Sequence, residues 1–161
     1  MSLKQQFETI LTSGSHRLMP PRDDAEIARV EAELERLPQD MREILSICNG
    51  VELFIFAGPQ VTLFGIEHEV DKFIWYSGYF IEPATRIWRA EHGRSDEWTF
   101  AMTSYGGLIV VTPERVFEFD CGSETGNWPT LSKWLEHIVA EAAVVAAELE
   151  TGRLARPDTM V

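Results

Sequence analysis

Residues 98–120 read Trp-Thr-Phe-Ala-Met-Thr-Ser-Tyr-Gly-Gly-Leu-Ile-Val-Val-Thr-Pro-Glu-Arg-Val-Phe-Glu-Phe-Asp. Trp98, Phe100 and Met102 alternate with Thr99, Ala101 and Thr103, the two-residue period of a strand. Residues 108–112 are almost continuously apolar, which predicts a strand covered on both faces and central in its sheet. Gly106 and Gly107 supply the turn between the two. Residues 116–120 form a third strand, reached across Thr112-Pro113-Glu114-Arg115. Connections this short join antiparallel neighbours.

Towards the N-terminus the period changes to that of helices. Ile27, Val30, Leu34 and Leu37 recur at spacings of three and four behind Asp23 and Glu26, which are placed as a capping box. Pro38 ends this helix and suits the first position of the next. Met41, Ile44, Leu45 and Cys48 stripe that second helix, and Asn49-Gly50 predicts its left-handed stop. Residues 53–56, 61–66 and 73–80 are rich in β-branched and aromatic side chains and read as strands; residues 82–91 read as a short helix around Ile87 and Trp88. Residues 122–126 read as a loop. From the N-cap Thr130, Leu131, Trp134, Leu135, Ile138, Val139, Ala142, Val145, Ala146 and Leu149 mark a long closing helix. The expectation is an α+β fold: a mainly antiparallel sheet with an N-terminal helical hairpin and a long C-terminal helix. Residues 1–22 read as an N-terminal arm that opens with a short, weakly amphipathic helix (Leu3, Phe7, Ile10, Leu11) and continues as a flexible segment through Pro20-Pro21; 23–150 read as the domain and 151–161 as a flexible tail.

The composition excludes several classes. In 161 residues, 45% are hydrophobic and 25% charged, the mix of a globular domain and not of a disordered chain. The 14 Lys and Arg stand against 26 Asp and Glu, a formal charge of −12. Nucleic acid and anionic membranes need a basic footprint, so neither is expected as a partner; a basic protein is. The two cysteines, Cys48 and Cys121, read as free thiols in a reducing cytoplasm. No basic-then-apolar leader opens the chain, and the richest apolar run, 73–81, is too short to span a membrane.

Chemical motifs are scarce. His16, His68, His92 and His137 stand at no ligand spacing and no Cys-x-x-Cys occurs, so no metal site is expected. No cofactor fingerprint is present. Glu118 and Asp120 share one face of a strand opposite Phe117 and Phe119. They read as its solvent face or, less simply, as an acid/base pair. Cys121 has no histidine near it in sequence to make it a nucleophile.

The order of motifs carries a resemblance. Leu37-Pro38, the short helix after it and Asn49-Gly50 resemble the opening of the SMI1/KNR4 (SUKH) superfamily. Trp98 and Ala101, Gly106-Gly107 and the strands that follow are similar to its tryptophan–alanine strand and glycine turn. Trp134 stands in the closing helix motif, Thr130 to Leu135. Leu108 departs from the polar residue usual after the paired glycines, and residues 73–97 match only loosely. The resemblance implies an α+β domain without catalytic residues. For bacterial members it implies an immunity protein that binds a nuclease or deaminase toxin; eukaryotic relatives are interaction hubs.

A toxin-neutralising protein therefore stands beside a regulatory or scaffolding module and a small enzyme. The acids are unevenly placed: residues 23–43 carry a net −5 and residues 136–150 a net −4, both on helices, either as wet faces or as docking faces. The aromatic stretch Phe73, Trp75, Tyr76, Tyr79, Phe80 and Trp88 fills the core or anchors a partner. The expected partner patch is Trp75, Tyr76 and Tyr79 beside Glu67, Glu69, Asp71 and Glu82. The seam Ala142, Val145, Ala146 and Leu149 is left for a second copy, as a homodimer through this helix, or for the N-terminal stretch near Phe7 and Ile10.

Overall fold

The computed structural model describes residues 1–12, 14–55, 58–67 and 80–152. Each strand pairs antiparallel with the next in sequence, giving a seven-stranded meander. The strands are β1 (Arg17–Leu18), β2 (Val51–Leu53), β3 (Val61–Leu63), β4 (Trp98–Thr103), β5 (Leu108–Val111), β6 (Val116–Asp120) and β7 (Ser123–Trp128). The helices are α1 (Leu3–Leu11), α2 (Asp24–Leu34), α3 (Gln39–Leu45), α4 (Ile81–His92) and α5 (Leu131–Glu150). This is the α+β fold the sequence predicts, with the α2–α3 hairpin ahead of the sheet's centre and α5 closing the chain.

Ile109, Val111 and Val116 on one face join Leu131, Trp134, Leu135 and Ile138 of α5 and the apolar sides of α1, α2 and α3 in the main core. On the other face Val110 and Phe117 meet Trp88 of α4 in a smaller cluster. β5 is thus interior and covered on both sides, as its unbroken apolar run predicts. The capping box of Asp23 and Glu26 forms, and the Thr130 hydroxyl accepts the Lys133 N–H at 3.2 Å.

Four expectations need correction. Residues 1–22 are not a loose arm. Leu3, Phe7 and Ile10 bury one side of α1 in the core, worth roughly 1.5–3 kcal/mol per side chain before ordering costs. Gln6 exchanges hydrogen bonds with the Ser132 hydroxyl and carbonyl, which fixes α1 on the first turn of α5. Arg17 and Leu18 pair with β2. Of the expected loop at 122–126, residues 123–126 lie within β7. Its polar composition hid it, because an edge strand has little to bury. Cys121 and Gly122 form the two-residue hairpin turn, with φ of 49° and 84°. The strands expected at 53–56 and 61–66 are shorter, with β2 starting at Val51 and β3 ending at Leu63. The strand expected at 73–80 lies outside the described residues except for Phe80, the N-cap of α4. Finally, α3 ends at Leu45, and Pro38 stands one position before its first helical residue, so Asn49 is not a helix stop.

Candidate interaction surface

Of the expected partner patch, Trp75, Tyr76, Tyr79, Glu69 and Asp71 lie outside the described residues. Glu82 is buried and committed to the fold. One carboxylate oxygen accepts the Glu67 N–H at 3.1 Å and the other meets Arg29 at 3.2 Å. Most acids on α2 are likewise bracing. Glu31 accepts the Leu37 N–H and pairs with Arg42, and Glu33 pairs with Arg86 of α4. The net −5 of residues 23–43 therefore ties helices together more than it forms a docking face.

The other end of the sheet is arranged differently. Gly106 turns the chain at a φ of 94°, which favours glycine. A Cβ on Gly107 would lie 2.9 Å from the Thr103 hydroxyl and 3.1 Å from the Glu118 carboxyl carbon. The bare backbone there lets Glu118 lie across the turn. Glu118 is 8% exposed, which the solvent-face reading of β6 did not anticipate. It accepts hydrogen bonds from the Tyr105 hydroxyl at 2.8 Å and the Thr125 hydroxyl at 2.7 Å. Thr125 is the extra residue of a bulge, since Phe119 pairs with Glu124 and Glu118 with Gly126. Bulges of this kind re-aim a side chain.

Above this carboxylate the Tyr105 ring is 63% exposed. Burial of its hydroxyl, then the hydrogen bond to Glu118, and further the charges of Glu118 and Glu141 push the phenol up to about 12. It therefore stays a donor at neutral pH. α5 joins this surface through Trp128, whose ring lies against Gly126, the residue paired with Glu118. Glu141 sits 3.4 Å from His137, whose ring lies 5.1 Å from that of Trp128 on β7. Tyr105, Glu118, Glu141, His137 and Trp128 thus form one acidic and aromatic strip. Sequence pattern exposed the turn at Gly106-Gly107 but not this strip, because its members come from β4–β5, β6, β7 and α5.

Asp120 holds the Cys121 thiol above its ordinary range by hydrogen bond and charge, and burial raises Cys48 to about 12. Neither is an activated nucleophile. Burial, then Glu43, raises the Asp40 carboxyl, opposed by the Leu131 N–H. Asp40 lines a cavity of about 280 Å³ with Pro38, Pro113 and Pro129. The hydroxyls there are engaged: Thr112 donates to the Arg115 carbonyl and Thr130 caps α5. Among the described residues no cluster of three or more His, Cys, Asp or Glu is placed to hold a metal ion. None of the helices in this part is long and apolar enough to cross a membrane.

The family model of the SMI1 / KNR4 family (SUKH-1) matches residues 21–137. The chain belongs to the SMI1/KNR4 family. No curated protein matches it.

In this SMI1/KNR4 chain several of the motif residues are engaged inside the fold. The Asn49 side chain donates to the Ile66 carbonyl at 2.9 Å and accepts its N–H at 2.7 Å. A Cβ on Gly65 would lie 2.3 Å from the Asn49 carbonyl oxygen, and Gly50 has a φ of 90°. Asn49-Gly50 therefore clamps the end of α3 to the strand end after β3. Leu37 is buried in the main core. The Trp98 indole donates to the Leu34 carbonyl at 3.0 Å, and Arg89 donates to the same oxygen while stacking on the Trp98 ring. Together they satisfy a carbonyl left open where α2 ends. Ala101 is buried beside the β4 bulge, between Leu63 and Ile109. Trp134 is wholly buried, and its indole N–H has no hydrogen-bond partner among the described residues.

Proposed function

We propose that this chain is an immunity-type protein that neutralises a basic toxin domain, of the nuclease or deaminase class, by binding it without chemistry. The observation that carries the reading is the strip around Glu118. There a carboxylate is held by two hydroxyls under an exposed tyrosine, beside an α5 segment with four acids and no Lys or Arg over residues 136–150. A nuclease must hold phosphates and so tends to be basic, and an acidic inhibitor meets it quickly by electrostatic steering. Trp75, Tyr76 and Tyr79, with Glu69 and Asp71, remain in the proposal as a second part of the docking face. Pairing of two copies through the outer half of α5 is the weaker reading, because it would bring Glu141, Glu148 and Glu150 towards their own counterparts. Thiols held protonated and hydroxyls already engaged support a non-catalytic role, and a cytoplasmic site of action fits free cysteines.

Co-expression with the toxin domain encoded nearest upstream tests this. Survival and co-purification of the pair are the expected result. Killing despite expression, or no toxin gene in that position, would move the reading to a regulatory or scaffolding module with host partners.

A further inference from the structure

The opposite face of the sheet carries a feature the acidic strip does not use. Between the end of α4 and the β6–β7 hairpin lies a niche of about 280 Å³. Trp88 and Phe117, both buried, form its base. Phe119 packs edge-on to Trp88 with ring centres 5.0 Å apart, and His92 stacks on Trp88 at 3.6 Å. The His92 Nδ1 is 3.0 Å from the Trp88 carbonyl, which holds the ring in place.

Glu97 lines this niche and also the neighbouring cavity of about 230 Å³. The residue is 7% exposed. One carboxylate oxygen, Oε2, accepts the Trp88 indole N–H at 2.7 Å. The other, Oε1, has no hydrogen-bond donor among the described residues. Three arginines stand around Glu97 and each is engaged. Arg89 donates Nε to the Glu97 carbonyl at 3.0 Å and Nη2 to the Leu34 carbonyl. Arg94, which also lines the niche, and Arg115 are held by other carboxylates. Arg94 bonds both oxygens of Asp96, and Arg115 bonds both oxygens of Glu124 while lying over the Phe117 ring. Oε1 is therefore open to the niche, and a carboxylate oxygen there favours a charged donor.

We propose that this niche receives one arginine side chain of a protein partner, with Glu97 as its anchor. A planar guanidinium supplies several donors in one plane and stacks on aromatic rings, which suits Glu97 beside His92 and Phe119. An acidic side chain is disfavoured by Glu97, since Arg115 is already paired with Glu124 and Arg94 with Asp96. A neutral apolar one leaves Oε1 unsatisfied. A lysine satisfies Glu97 but makes less of the ring walls. The protein source of the arginine rests on the binding role proposed above; the chemistry of the niche does not.

The test uses the full chain and two small probes, N-acetyl-arginine methylamide and its neutral isostere N-acetyl-citrulline methylamide. The Trp88 indole N–H resonance reports binding, because that group is bonded to Glu97. The arginine compound is expected to move the resonance and to bind at least about tenfold tighter than the citrulline compound. Glu97→Gln, which keeps an acceptor for Trp88, and Phe119→Ala should each abolish that preference. Equal binding of the two probes, an unchanged preference in Glu97→Gln, or no shift at the highest soluble concentration overturns the proposal. The probe comparison on the unaltered chain stands even if a variant fails to fold. If the toxin domain binds while the arginine compound does not, this inference alone falls. If the arginine compound binds selectively while the toxin is ignored, the niche stands and the partner is another protein.

Discussion

At the β2–β3 end of the sheet, Asn49 and Glu82 direct their hydrogen bonds to backbone groups and Arg29, joining α3, β3, α4 and α2. At the β6–β7 end, Glu118 is held by the hydroxyls of an exposed tyrosine and an edge-strand threonine. Both ends bury polar side chains, but only the second positions them under groups a partner can touch. The difference separates two demands on one small domain. Buried groups locked to backbone specify the fold, whereas groups held by surface side chains can be altered with little loss of stability and are available for recognition.

The sharpest way to break this comparison is Gly65→Ala. A Cβ there meets the Asn49 carbonyl at 2.3 Å, and backbone cannot step aside as a side-chain end can. A loss of about 3 kcal/mol or more, or failure to fold, is expected in urea denaturation. Asn49→Ala leaves two buried backbone groups of Ile66 without partners and should cost about 2–3 kcal/mol. The two buried tryptophans sharpen it further. Trp98→Phe removes a donor from the Leu34 carbonyl and should cost about 1–2 kcal/mol. Trp134→Phe removes an indole N–H that has no partner among the described residues and should cost less, so the order of the two midpoints is the readout.

At the other end, Glu118→Gln keeps an acceptor for one hydroxyl and should change stability by under about 1 kcal/mol. The same variant should weaken partner binding about tenfold, measured by calorimetry. The smallest effect belongs to Asp40. Burial and Glu43 raise its carboxyl, so the folded state holds that proton more tightly than the unfolded chain does. The charged form is therefore unfavourable in the fold above the unfolded value of about 3.9. That penalty fades as pH falls through the raised folded value. Asp40→Asn should stabilise by about 0.3 kcal/mol at neutral pH, given how exposed the group is, and lose the gain in acid.

What could be read from the sequence follows from these same differences. The strands β4, β5 and β6 were legible because their faces are unequal or uniformly apolar. α2 was legible from its stripe and capping box. β7 was not, since Ser123, Glu124, Thr125, Gly126 and Asn127 carry turn-like composition, and pairing with β6 makes the strand. α1 was legible as a helix but not as part of the core, because its partners on α3 and α5 are distant in sequence. The strip of Tyr105, Glu118 and Glu141 could not be read at all, since its members come together only through the pairing of β6 with β7 and the contact of β7 with α5. Asn49-Gly50 was recognised as a motif, but its role as a side-chain clamp on Ile66 needed the fold.

The most direct test of the central claim is the association rate with the toxin domain, measured by stopped flow at rising salt for the unaltered chain, Glu118→Gln and Glu141→Lys. The account predicts a rate that falls steeply with salt and is about tenfold slower for Glu141→Lys at low salt, with a weaker salt dependence. A rate indifferent to salt and to both substitutions would contradict it.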